Sequence, residues 1–322
     1  MALWTPAEIT TALWLDSLDS NAITLDGSNT IEQASDKSGN DRHFTAPSSG
    51  LRPSITDGGI DTAGGKYLRV LEGFIAALSK TSGVAVLMVM RSTAGSGHFF
   101  SEASTADDDP VHTLFRANVT AFIRGNASTS DFGANVVGLN TSWAATKKLF
   151  CHSDVQRTIT ARTNGAQTHS FTYGNPSGDF EGNVTCLGGL LRTSFSNAGP
   201  GVVWEIVVVP YDLDTILKVE GYLAHRHGIA GDLDSAHPYK NAAPFVGYYF
   251  GSILDKDGNP AARTVTVLDS TGQCVATDSS DPVTGAYEIE VTEDAPHTLV
   301  FDGEPDRNAQ VFANVIPGDP PA

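Results

Sequence analysis

Cysteine, helical periodicity, basic charge and long apolar runs are all scarce in this 322-residue chain. The three cysteines, Cys151, Cys186 and Cys274, cannot close a disulfide framework, and none stands in a CxxC or Cys/His ligand spacing, which argues against structural zinc. Cys151 and Cys186 lie in strand-like runs and suit buried free thiols acting as small hydrophobes. Lys and Arg number 20 against 37 Asp and Glu, a net charge of -17 with a pI near 4.7. Phosphate backbones and anionic membrane surfaces are therefore unfavourable partners. No run approaches the ~18 apolar residues that span a bilayer. The opening, MALWTPAEIT, has neither the basic start nor the apolar core of a secretory signal, so the expectation is synthesis in a cytoplasm, with any outside role reached by lysis within an assembled particle.

What the chain does hold is Gly, Ser, Thr, Asn and Val, with turn signals recurring between short apolar runs. That pattern predicts an all-β protein of sandwich type with two domains, 1–243 and 244–322. The best-defined stretch is Trp204 to Pro244. Its β-branched run from Trp204 to Val209 suits a strand covered on both faces. Asp212 or Asp214 can cap a helix running to His227, with Leu213, Ile216, Leu217 and Leu223 near helical spacing and Gly228 as the stop. Leu217 and Leu223 are expected to be buried.

Upstream, Thr5-Pro6-Ala7-Glu8 has the makings of a capping box. Residues 22–34 form a hairpin in which Asp26-Gly27 is expected to take positive φ. Leu51 to Pro53 and Gly65 to Leu68 fit short pieces at a sheet edge, Val84 to Met90 a fully buried strand, and Asn164-Gly165 a hairpin turn. Past Pro244 six short strands are expected in about seventy residues, the spacing of a small sandwich. Residues 246 to 322 contain 13 acidic against 3 basic residues, so this last quarter carries more than half of the negative excess.

Three groups of residues stand out as candidate sites. Asp36, Asn40 and Asp41, in the loop Asp36-Lys37-Ser38-Gly39-Asn40-Asp41, offer oxygens to calcium, although a plain tight turn uses the same residues. Asp107 and Asp108 lie in an acidic loop that suits calcium, sugar hydroxyls or plain solvation. Tyr173, Asp179 and Phe180 lie in a Gly- and Asn-rich segment, where rings can stack on sugars and carboxylates can bond hydroxyls, or where two buried rings can pin a loop. No cofactor is required by any motif. Catalytic patterns are missing: Glu205 stands alone on its strand, Glu288 and Glu290 are spaced to face water, no G-x-S-x-G occurs, and the adjacent Cys151 and His152 point to opposite strand faces. The N-x-S/T triplets at Asn118, Asn126, Asn140 and Asn183 fit β-rich composition.

On Leu13-Trp14-Leu15-Asp16, Asp36 to Asn40 and the tail VEGYLAHRHGI...HPYKNAAP, the first three quarters of the chain resemble the laminin-G, concanavalin A-like domains of phage and bacterial surface proteins. The resemblance implies a jelly-roll sandwich with one short C-terminal helix. The rest resembles carboxypeptidase-regulatory-like or prealbumin-like Ig-type modules. Together they imply a virion surface or tail protein, a fibre, tip or spike present in many copies or as a homo-oligomer. Its partners would be other virion proteins and a host surface polysaccharide, bound but not cut. A purely structural subunit and a glycan-cleaving enzyme are the alternatives.

Overall fold

The computed structural model describes residues 4–92, 97–106, 111–116, 122–124, 146–172, 182–196, 198–244, 247–255, 257–291, 297–302 and 310–315. Two compact units divide the chain, one being Thr5–Ala242 and the other Ala243–Ala322 joined by Trp4.

The larger unit is a sandwich of two antiparallel sheets. In the first, strands follow the order Ala166–Thr172, Thr158–Thr163, Lys148–Val155, Val84–Ser92, Gly201–Pro210, Gly59–Asp61 and Ser54–Thr56, with Leu13–Asp16 also paired to Gly201–Pro210. The second runs Phe122–Arg124, Val111–Arg116, His98–Ala103, Val184–Leu187, Leu68–Val70, Phe44–Thr45, Ile31–Ala34 and Ile23–Leu25. Strand alternation sorts the side chains. Val84, Val86, Met88 and Met90 meet Ile31, Phe44, Leu68, Phe100, Phe115 and Leu187 between the sheets. Leu87, Val89, Val207 and Val209 are fully buried on the other face of the first sheet. A continuous apolar run is what a strand buried on both sides requires, and burying each Val or Leu stabilises the fold by about 1.5–3 kcal/mol.

Helix α2, Leu213–Arg226, packs against the first sheet. Asp212 is its N-cap, its carboxylate accepting from Thr215 N at 2.8 Å, and Gly228 leaves the helix at φ +69°. The buried face differs from the expected stripe. Ile216, Val219, Glu220, Leu223 and Ala224 are buried, whereas Leu213 is 47% exposed and Leu217 only half-buried. The helix turns a carboxylate inward because an arginine waits there, as described below.

Other expectations also changed. A second helix, α1 (Ile75–Thr81), was not legible, since its seven residues are too few to show a period. Residues Leu68–Val70 form an interior strand rather than an edge, and Ser49–Leu51 is a 3-10 turn. In the 22–34 hairpin the positive φ falls on Asn29, at 61°, because the Asp26 carboxylate accepts from Ser28 N and Thr30 N and closes the turn itself. The capping box at Thr5 and Glu8 is present, and Asn164 and Gly165 both take positive φ.

In the smaller unit Gly247–Ser252 pairs with Ala286–Val291, and the order Cys274–Ser279, Thr264–Leu268, His297–Phe301, Gln310–Val315 makes a four-stranded sheet. Tyr249, Ile289 and Val291 from the ribbon pack with Val265, Val267 and Leu299 from the sheet. The turns at Gly258, Gly272 and Gly285 all take positive φ.

Candidate functional site

Strand directions in the larger unit bring several loop-bearing strand ends together at one end of the sandwich. Ala103 and Val111 are paired there, Val184 pairs with Ala103, and Arg124 pairs with Val111. From the other sheet, Asp154 pairs with Val84 and Thr158 with Thr172. Segments 107–110, 125–145 and 173–181 are thus each flanked by a residue at this end. Their described stems are tied to one another. Asn183 accepts from Thr105 N through Oδ1 at 3.0 Å, and its amide nitrogen donates to the Thr105 hydroxyl at 3.1 Å.

Beneath this rim lies a buried polar floor. Glu102, with no exposed surface, accepts from Phe74 N and Ile75 N through Oε2, both at 2.6 Å, and from Gly182 N through Oε1 at 2.9 Å. One carboxylate therefore satisfies the first turn of α1 and fixes the base of the 173–181 segment. The backbones of Gly73 and Gly182 approach so closely that a Cβ on Gly73 would sit 2.1 Å from the Gly182 carbonyl oxygen. Only glycine fits. Beside them His112 donates from Nε2 to Asp154 Oδ2 across 3.0 Å, joining the two sheets, and His152 stacks on Phe115 at 4.0 Å. At the rim itself Tyr211, Leu213 and Leu71 are exposed. Tyr211 is held where its N-H donates to the Gly83 carbonyl.

Of the residues singled out in the sequence, Asp107, Asp108, Tyr173, Asp179 and Phe180 lie outside the described residues. The strand ends that flank both segments nevertheless sit at the same rim. The Asp36 loop is elsewhere. Asp36 Oδ1 accepts from Trp14 N and Ser38 N, and Oδ2 from the Ser38 hydroxyl and Arg42 N, so both oxygens organise the loop. The Asn40 amide nitrogen donates to the Thr11 carbonyl, and the Asp41 side chain is 93% exposed. Among the described residues no group of three or more His, Cys, Asp or Glu is arranged to hold a metal.

Sequence reasoning missed that Glu205 has an acidic neighbour. Asp16 stands directly opposite it on the paired strand, on the face that turns towards α2. Both carboxylates have no exposed side-chain surface. Arg226 bridges them, at 2.6 Å from Asp16 and 3.2 Å from Glu205, while Trp14 Nε1 and His227 Nε2 donate to Glu205, each at 2.8 Å, and Lys37 holds Asp16. A second anchor joins Glu220 to Arg162 through two bonds of 2.8 and 2.9 Å, with His237 at 3.2 Å. Burial raises the Cys151 thiol well above its ordinary value, and the Glu220 charge adds to it. These buried acids fasten α2 to the sheet.

No family model and no curated protein sequence matches the chain. Among solved structures it is similar to the binding domain of botulinum neurotoxin DC in complex with rat synaptotagmin II, at 10% identity and TM-score 0.45, over 98% of this chain and 79% of that one. It is also similar to an arabinofuranosidase complexed with arabinofuranosyl-alpha-1,2-xylobiose, at 14% and 0.40, over 84% of this chain. A mutant NanB sialidase from Streptococcus pneumoniae gives 12% and 0.35, over 75% of this chain. The chain spans 60% of the arabinofuranosidase and 37% of the sialidase. At such scores these likenesses transfer neither ligand nor activity.

Proposed function

We propose that the larger unit is a non-catalytic glycan-binding module of a virion surface or tail protein, contacting a host polysaccharide with the loop-bearing end of its sandwich. The observation that carries this reading is the convergence of flanking strand ends. The described strand ends that flank the segments containing Asp107, Asp108, Tyr173, Asp179 and Phe180 meet at one rim, where the ring of Tyr211 is exposed and where Glu102 and the His112 and Asp154 pair stiffen the buried floor. Rings that stack on sugar faces and carboxylates that accept from hydroxyls are the chemistry such a ligand needs. Binding without cleavage is supported by the state of the acid pair: Asp16 and Glu205 are buried, bridged by Arg226 and closed off from a glycosidic bond. The virion setting rests on the family resemblance of the sequence.

A multivalent form of the protein, tested on a glycan array and on host envelope fractions, is expected to be retained, and Tyr173→Ala, Asp179→Ala and Tyr211→Ala to reduce retention. Release of shortened oligosaccharides would make it an enzyme. Retention on no fraction would leave a purely structural subunit, for which the exposed Leu71 and Leu213 would serve as protein contacts. Calcium at the Asp36 to Asp41 loop is a separate proposal. It requires a melting temperature raised by excess calcium, and identical curves with and without chelator dispose of it.

A further inference from the structure

We propose that Arg91, Lys147 and Trp204 form a seat for an oxyanion, the carboxylate, sulfate or phosphate substituent of a ligand, at the opposite end of the Val84–Ser92 strand from the loop-bearing rim. The seat begins with a β-bulge. Val203 pairs with Met90 and Glu205 with Val89, so Trp204 is the extra residue, and a bulge re-aims the side chain it carries. The Trp204 indole is fixed by donating from Nε1 to the Asp57 carbonyl at 2.9 Å. Two cations converge on it. The Lys147 ammonium stands 4.3 Å from the ring centroid and the Arg91 guanidinium 5.6 Å.

Two like charges gathered at one ring repel, and among the described residues the carboxylate offered to them is that of Asp57. It pairs with Arg91 at 2.7 Å and is 61% exposed, a surface contact of little strength. Lys147 makes no ion pair among the described residues. Burial pushes its ammonium below the ordinary value, Asp57 opposes that and Arg91 adds to it. An incoming oxyanion would relieve this repulsion, accepting from both cations where Asp57 now satisfies one. Asp57 is in this sense the stand-in for the ligand. Its φ of 52° is a conformation asparagine also tolerates, so the stand-in can be neutralised without straining the turn.

The test is titration of the full chain with glucuronate, sulfate and phosphate at ionic strength held constant with chloride, read by tryptophan fluorescence and calorimetry. Wild-type protein is expected to respond saturably to at least one. A response to glucuronate alone identifies a sugar carboxylate, and a response to sulfate or phosphate an esterified or free tetrahedral oxyanion. Lys147→Met keeps the aliphatic cover on the indole and is expected to weaken binding about tenfold or more, as loss of a charged donor does. Asp57→Asn is expected to tighten it about threefold, the scale of a surface ion pair released. Melting curves of both variants confirm that they fold. The proposal is overturned if no anion gives a saturable response, or if the two variants bind as wild type does. Because the seat lies away from the rim, variants of Tyr173 and Asp179 leave it intact, and either reading can fail without the other.

Discussion

Single buried polar side chains decide where backbone and helices sit in this protein, and each has at least one partner well separated in sequence. Glu102 serves the 74–75 and 182 backbone, and Asp36 serves Trp14, Ser38 and Arg42. In the smaller unit Tyr249 is 5% exposed, with its hydroxyl 3.0 Å from His297 Nδ1, and burial pushes its phenol up to about 12. A phenol whose folded value lies above its ordinary 10.0 favours the folded state in its neutral form. That contribution is complete below pH 10 and is lost as pH rises through about 12. The smaller unit is therefore expected to lose stability over this window, and Tyr249→Phe to flatten the alkaline limb relative to wild type. Denaturant titrations from pH 8 to 12.5 measure it, and limbs of equal slope would show that Tyr249 does not set the transition.

Helix α2 shows how an element can be legible while its contacts are not. Its cap at Asp212, its length and its stop at Gly228 follow from local chemistry, and the sequence expectation matched them. The buried face did not follow, because a helix presents whichever side finds partners, and the partner of Glu220 is Arg162, from a strand whose register no local pattern reveals. The same holds for Glu205, whose neighbour Asp16 is supplied by the first strand of the unit. Long-range pairing also explains why the convergence of these strand ends was not legible: Thr105 and Asn183 are joined only once the strands are placed. Removing one member of a buried ion pair strands the other, at a cost of about 3–5 kcal/mol, whereas replacing both by apolar groups is close to neutral. Arg162→Met is accordingly expected to destabilise the larger unit on that scale in urea, and Arg162→Met with Glu220→Leu to recover most of the loss. A double variant no more stable than the single one would mean that the bonds of Arg162 to its other partner, the Gly165 carbonyl, matter more than the pair.

At the scale of the whole molecule the two units differ in what holds them. The larger has two sheets and a helix buttressed by buried charge, while the described residues of the smaller form a compact apolar cluster in a segment with 13 acidic and 3 basic residues. Self-repulsion of that kind weakens a compact state and is screened within about 10 Å at 0.1 M salt. We expect a chain ending at Pro244 to unfold cooperatively and with little salt dependence, since its core is large enough to stand alone. The isolated 243–322 segment is expected to melt higher as salt rises from about 0.01 to 0.15 M, the range over which the screening length falls from ~30 to ~8 Å. Calorimetry on both fragments and on the full chain decides this. Failure of the longer fragment to give a cooperative transition would count against independent folding of the units, and a salt-insensitive shorter fragment would show that its acidic residues are spaced too widely to repel. If the full chain binds a polysaccharide and the longer fragment keeps that binding when displayed in many copies, the proposed glycan contact belongs to the larger unit. Its strength would then come from copy number, because a shallow wet site gains little per sugar and multivalency multiplies weak contacts by about 10²–10⁴.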